Sequence, residues 1–227
     1  MVTYYRLVFF IRFLGYASLI TGFLTLIFIL GPLGLVEVKY RADQLFNVKR
    51  TVPKIIKSNQ TDQTVSGEVI PKLAVSPLSI VPVSTDFGIV IEKINANSKI
   101  IADVDPGSER QYGQALLQGV AHAKGTVYPG EKGNIYLFSH STNAPWNIIR
   151  FNAVFYLLRE LVPGDRIVLF YKSQRYDYIV YDKRVVVAND VSYLTNQYDQ
   201  SILTLQTCDP PGTLINRLIV RAKLEEQ

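Results

Sequence analysis

From Phe13 to Val36 no position is charged and most are apolar. That run exceeds the roughly 20 residues a helix needs to cross a bilayer. Arg6 and Arg12 precede it, so a secretory signal has to be weighed. The run is too long for a signal-peptide core, and the nearest small-residue pattern, Ala17-Ser18, sits in its middle. The pattern predicts a short tail over 1–12 and an uncleaved transmembrane anchor over 13–36. Gly31-Pro32 marks a kink or an end of the helix, and Arg12 can snorkel to the interface. Between 37 and 86 neither the helical nor the strand period persists. Pro53, Pro71, Pro77 and Pro82 and the polar patch Ser58–Thr64 give this segment the texture of a tether. Asn59-Gln60-Thr61 has the form of a glycosylation triplet, read here as chance.

Beyond Phe87 short apolar runs recur between turn residues. They fall at Phe87–Ile91, Lys99–Val104, Gly133–Ser139, Arg166–Tyr171, Tyr176–Val187, Ser201–Thr207 and Arg217–Leu224. Two helical stretches interrupt them, Ser108–Leu117 and Phe151–Leu161, and Tyr128-Pro129-Gly130 and Val162-Pro163-Gly164-Asp165 read as turns. Many short strands with few helices predict an all-β domain over 87–227, a closed barrel of about eight strands with two short helices.

Composition agrees: 14 Tyr and 11 Phe among many Val and Ile favour strands. The net charge of +5 is modest and forms no basic stripe interleaved with aromatics, so nucleic acid is not an expected partner. Its distribution matters more. Lys39, Arg41, Lys49, Arg50, Lys54 and Lys57 come after the apolar run and outnumber the basic residues before it. By the positive-inside rule alone, the globular part would face the cytoplasm. The basic stretch can also lie on anionic headgroups.

One cysteine excludes an internal disulfide and disfavours a cysteine-built metal site, and two histidines make no evident metal cluster. A lone cysteine is usually a small buried hydrophobe. Cys208, however, ends the strand-like run Ser201–Thr207 and precedes the turn-rich Asp209-Pro210-Pro211-Gly212, which places it at the rim of the barrel. A nucleophilic thiol needs a base or a positive neighbour. His140 ends the run Asn134–Ser139 and so also stands where a strand leaves the sheet. His122, in the looser Val120–Gly125, competes for the role. Arg217 opens the strand after Cys208, within reach of the thiol and able to stabilise an oxyanion.

Thr204-Leu205-Gln206-Thr207-Cys208 matches the TLxTC motif of sortases, the membrane-anchored cysteine transpeptidases of bacterial surfaces. The strand ending in His140 and the strand opening with Arg217-Leu218-Ile219-Val220 resemble the family's histidine and arginine strands. Asn189-Asp190-Val191 resembles its TDV turn. The resemblance covers about Phe87 to Leu224, in the order His, Cys, Arg. The short, Pro-Gly-rich loop from Cys208 to Arg217 is similar to class C, D or E rather than class A, and Ser139 stands where many members have Gly. The resemblance implies that Cys208, His140 and Arg217 are catalytic, with Thr207, Ser139 and His122 as candidate substrate contacts. It implies cleavage of an LPxTG-like sorting signal between Thr and Gly through a thioacyl enzyme, resolved by an amino nucleophile such as a peptidoglycan precursor or a pilin lysine. It calls for no metal and no cofactor, and it sets the domain outside the membrane, against the charge rule. Three rival readings are an exported L,D-transpeptidase-like Cys–His enzyme, whose cysteine usually follows Ser-x-Gly, another Cys–His peptidase of the papain-like kind, whose cysteine precedes its histidine in the chain, and a non-catalytic membrane-tethered binding module.

Overall fold

The computed structural model describes residues 2–53, 79–141 and 154–225. Lys54, Lys57, the patch Ser58–Thr64 with its triplet, Pro71, Pro77 and the start of the helix expected at Phe151 lie outside the described residues. The chain begins with α1 (Val2–Leu45), a single helix running through Gly31-Pro32 without ending there. Within it Tyr5–Phe28 is long and apolar enough to cross a membrane. The segment expected as a tether therefore starts as helix, and several of its described residues contact the barrel. Tyr40 is buried with barrel residues, Glu37 pairs with Arg159 at 3.3 Å, and Arg50 forms a two-pronged bond to Asp43 at 2.6 and 3.0 Å.

Eight strands make up the domain: β1 (Phe87–Ile91), β2 (Ala96–Val104), β3 (Val120–Ala123), β4 (Gly133–Phe138), β5 (Arg166–Tyr171), β6 (Gln174–Val187), β7 (Ser201–Asp209) and β8 (Asn216–Leu224). They close into a barrel in the order β1-β2-β3-β4-β7-β8-β6-β5. α2 (Glu109–Leu116) links β2 to β3, and a short turn of helix, α3 (Ser192–Thr195), lies between β6 and β7. The second expected helix is not one over its described part: residues 154–157 are turns, succeeded by a single 3-10 turn at Leu158–Glu160. β3 is the strand absent from the sequence reading. Gly119 lets it start close against β2, because a Cβ there would lie 2.4 Å from the Lys99 carbonyl oxygen.

Alternation sorts the side chains into layers. Ile89, Ile91, Ile135, Leu137, Ile167, Leu169, Leu203, Leu205, Leu218 and Val220 fill the barrel. The outer face of β1 and β5 is covered too. Val90, Val168 and Phe170 pack with Val52 and Ile80, while Arg175 donates to the Val52 and Pro53 carbonyls at 2.8 and 3.3 Å. This double coverage explains why β1 and β5 read as continuous apolar runs rather than alternating ones. A third layer forms where Ala115 and Leu116 of α2 pack on Ala121, Ala123, Tyr136 and Phe138.

Candidate active site

β4 and β7 are parallel neighbours, and each residue of β4 lies beside the residue 68 positions later, from Gly133 beside Ser201 to Phe138 beside Gln206. The contact continues past the end of β4. The Ser139 amide donates to the Gln206 carbonyl at 3.1 Å, and the Thr207 hydroxyl donates to the Ser139 carbonyl at 2.9 Å. The same offset carries His140 beside Cys208. Across the other edge of β7, Cys208 pairs directly with Arg217 of β8.

Parity then fixes the face. The odd residues of β4 and β7 and the even residues of β8 point into the barrel. Cys208 and Arg217 therefore point outward, and His140 accompanies them in register. The row His140–Cys208–Arg217 crosses three adjacent strands on the outer wall, at the end where β4 and β7 finish and β8 begins. The sequence placed these groups on one rim; the structure sets them on the outer surface below it. All three line a groove of about 530 Å³. Tyr112 and Leu116 of α2, Val191, Leu194 and Leu214 line it as well.

Burial sets the electrostatics. Desolvation pushes the Cys208 thiol above its ordinary value, partly opposed by the Arg217 charge. Desolvation pulls the His140 imidazole below its ordinary value. Neutral thiol and neutral imidazole therefore dominate near pH 7. Arg217 Nη1 donates to the carbonyls of Leu214 and Asn216 at 3.3 and 3.1 Å. These bonds hold the guanidinium by one corner. Its remaining N–H groups make no hydrogen bond among the described residues.

Thr207 points inward and acts through its bond to the Ser139 carbonyl, which ties the histidine segment to the cysteine strand. Ser139 lines the groove. Its hydroxyl and that of Ser141 are buried without a hydrogen-bond partner among the described residues. His122 is not brought to this site. It is fully buried and points from β3 into the barrel, edge-on to Phe87 at 5.6 Å and tilted against Tyr128 at 4.8 Å. Its Nε2 lies 3.1 Å from the Val127 carbonyl and 2.9 Å from the Thr126 hydroxyl. Thr126 spends its own proton on the Ala123 carbonyl at 2.8 Å, so Nε2–H is the donor and Nδ1 is left to accept from the Asp103 amide at 3.5 Å. Desolvation lowers its pKa, and the neutral ring buttresses the β3–β4 connection.

Tyr136 and Gln206 line the groove as well, and the sequence reading did not single them out. Both stand at even, outward positions of the strands that carry His140 and Cys208, which is the signal that would have found them.

The sequence model of the family described as "Sortase domain" matches residues 89–225. Sortase D of Bacillus subtilis (strain 168) is 31% identical over 136 residues, covering 59% of this chain and 60% of the relative, less than two thirds of its length. Among solved structures, a Sortase D5 transpeptidase of Clostridium perfringens superposes with a TM-score of 0.51 at 27% identity, covering 62% of this chain and 79% of that one. Sortase C-1 from Actinomyces oris gives 0.52 at 25% identity over 64% and 76%, and sortase A from Corynebacterium diphtheriae gives 0.53 at 25% over 63% and 61%.

Proposed function

The chain belongs to the sortase family, and from that premise we propose that it is a membrane-anchored cysteine transpeptidase in which Cys208, His140 and Arg217 carry the reaction. The observation that supports the roles is the row of these three side chains on one face of β4, β7 and β8, lining one groove. Cys208 Sγ attacks the Thr carbonyl of an LPxTG-like signal. The thiol proton passes to His140, and the carbonyl oxygen takes up negative charge that the free N–H groups of Arg217 meet. Collapse breaks the Thr–Gly bond, and His140 gives its proton to the departing amine. The thioacyl enzyme is then attacked by an amino nucleophile, which loses a proton to His140 as the thiol is regenerated. The donors are surface proteins bearing sorting signals. The acceptor is an amine of the kind a peptidoglycan precursor or a pilin lysine supplies. The test is mass spectrometry of the full chain mixed with a panel of sorting peptides. A thioacyl adduct on Cys208 is expected, and no adduct with any peptide overturns the assignment.

The pKa directions give this mechanism a pH signature. Both productive forms, neutral pair or ion pair, hold one proton between Cys208 and His140. kcat/KM is therefore expected to form a bell. Its acid limb falls below the ordinary imidazole value of about 6.5 and its alkaline limb above the ordinary thiol value of about 8.5. Loss of activity between these two values on either side contradicts the directions given by burial.

We further propose that α1 anchors the protein through its apolar segment, in contact with lipid, and that the domain stands outside the cell. The apolar, uncharged texture of 13–36 and the family's role at bacterial surfaces support this; the basic residues after the span oppose it. Protease added to intact cells is expected to digest the domain beyond residue 40. Full protection would show that charge sets the orientation.

A further inference from the structure

The outer face of β4 and β7 continues from the reactive row as a floor. One row below His140, Cys208 and Arg217 lie Phe138, Gln206 and Ile219. Phe138 and Ile219 are apolar, so the Gln206 amide is the polar group of its row. Its carbonyl end is held: Tyr136 on β4 donates its hydroxyl proton to Gln206 Oε1. Burial keeps that hydroxyl protonated by raising its pKa, against a smaller opposing effect of Arg217. With Oε1 engaged, Nε2 and its two N–H groups are turned to the groove that Gln206 lines. Nε2 makes no hydrogen bond among the described residues, and it is not among their buried, unpartnered atoms.

An extended peptide repeats its carbonyl direction every second residue, at about 6.6–7 Å. Gln206 and Cys208 are likewise two residues apart on one face of β7. A peptide lying along this floor with one carbonyl over Cys208 therefore turns the carbonyl two residues earlier toward Gln206. The half of the peptide before the scissile bond is the half that stays on the enzyme, and the walled part of the groove over β7 is the part that can hold it.

We propose, on the transpeptidase reading above, that Gln206 is a substrate-positioning residue whose Nε2 donates to the main-chain carbonyl two residues before the scissile one, with Tyr136 fixing the amide in that orientation. In an LPxTG-like signal this is the proline carbonyl. The contact sets the register in which the Thr carbonyl reaches the thiol, and it reads backbone rather than side chain.

A four-way comparison of kcat/KM tests it, using the full chain in detergent micelles. The enzymes are wild type and Gln206→Leu. The peptides are a sorting peptide and its analogue with sulfur replacing that one carbonyl oxygen, a weaker acceptor. Gln206→Leu is expected to lose about fivefold to tenfold on the parent peptide, the size of one hydrogen bond. The thioamide is expected to cost wild type several-fold and Gln206→Leu nothing, a coupling that a merely structural role of Gln206 would not produce. Gln206→Glu, equal in size but without the donor, is expected to lose at least as much as Gln206→Leu and covers the case in which the apolar variant fails to fold. Wild-type-like rates for either folded variant, or a thioamide cost equal in wild type and variant, overturn the proposal while leaving the transpeptidase standing. Absence of a thioacyl adduct in wild type removes both.

Discussion

Cys208→Ala is expected to abolish thioacyl formation and peptide cleavage together, while the barrel stays folded. The side chain is half-buried at the edge of a groove rather than part of the apolar filling. Removing one sulfur there opens no internal cavity of the kind that costs several kcal/mol. Chemistry, by contrast, loses its only thiol. Neither His140 nor Arg217 can hold the acyl group in its place, so the loss is complete rather than graded. Cys208→Ser is expected to behave nearly the same, because an alkoxide is far harder to generate than a thiolate in a site that already raises the nucleophile's pKa. The check is a cleavage assay with the thermal midpoint measured on the same samples. Cleavage retained by a folded Cys208→Ala protein sinks the nucleophile assignment.

The second large effect concerns the two histidines. His140→Ala is expected to lower kcat/KM by about 10²–10⁴, the usual worth of a positioned acid–base group, with little change in stability. His122→Gln is expected to show the reverse. Its ring sits against Phe87 and Tyr128 inside the barrel, so the thermal midpoint falls while cleavage at permissive temperature stays within a few-fold of wild type. Stability also acquires a pH dependence from His122. The folded protein holds it neutral with a depressed pKa, and the unfolded chain binds its proton near pH 6.5. The unfolded state thus takes up more protons below that value, and stability falls as the pH drops through it. Losing that acid sensitivity in His122→Gln, together with retained activity, separates the two histidines. Equal losses of activity in both variants would mean that the roles are misassigned.

Much of this was legible in the chain. β1 and β5 fall where the apolar runs put them, and β7 was readable because its apolar run is bounded by the turn-rich Asp209-Pro210-Pro211-Gly212. β3 was hidden by its composition. In Val120-Ala121-His122-Ala123 the alternation is between one large apolar residue, a histidine and two alanines, and no hydropathy pattern distinguishes a small outward residue under a helix from a small residue in a loop. That is also why His122 looked like a rival for the acid–base role: a histidine in a loop is available, whereas one facing into a barrel is not. The close fit of the stretch after the anchor escaped for a different reason. Its contacts are single residues, Glu37, Tyr40 and Val52, each captured by a partner more than 40 positions away or by a core assembled elsewhere. Isolated contacts leave no periodicity. Gln206 and Tyr136 were missed because the sequence motif drew attention to the thiol, while their pairing appears only once β4 and β7 are laid side by side.

The parallel pairing of β4 with β7 has a consequence for how the protein matures. His140 and Cys208 meet through a register with a separation of 68, and the intervening chain contains β5 and β6, which must find their own partners on β1 and β8. Long-range pairings of this kind form late, after the cost of closing large loops has been met. β8, which supplies Arg217 and joins β7 to β6, is also the last of these eight strands in chain order. A partly folded chain therefore holds Cys208 apart from His140 and Arg217. On the proposed roles, the row of Cys208, His140 and Arg217 is complete only once β4, β7 and β8 are paired.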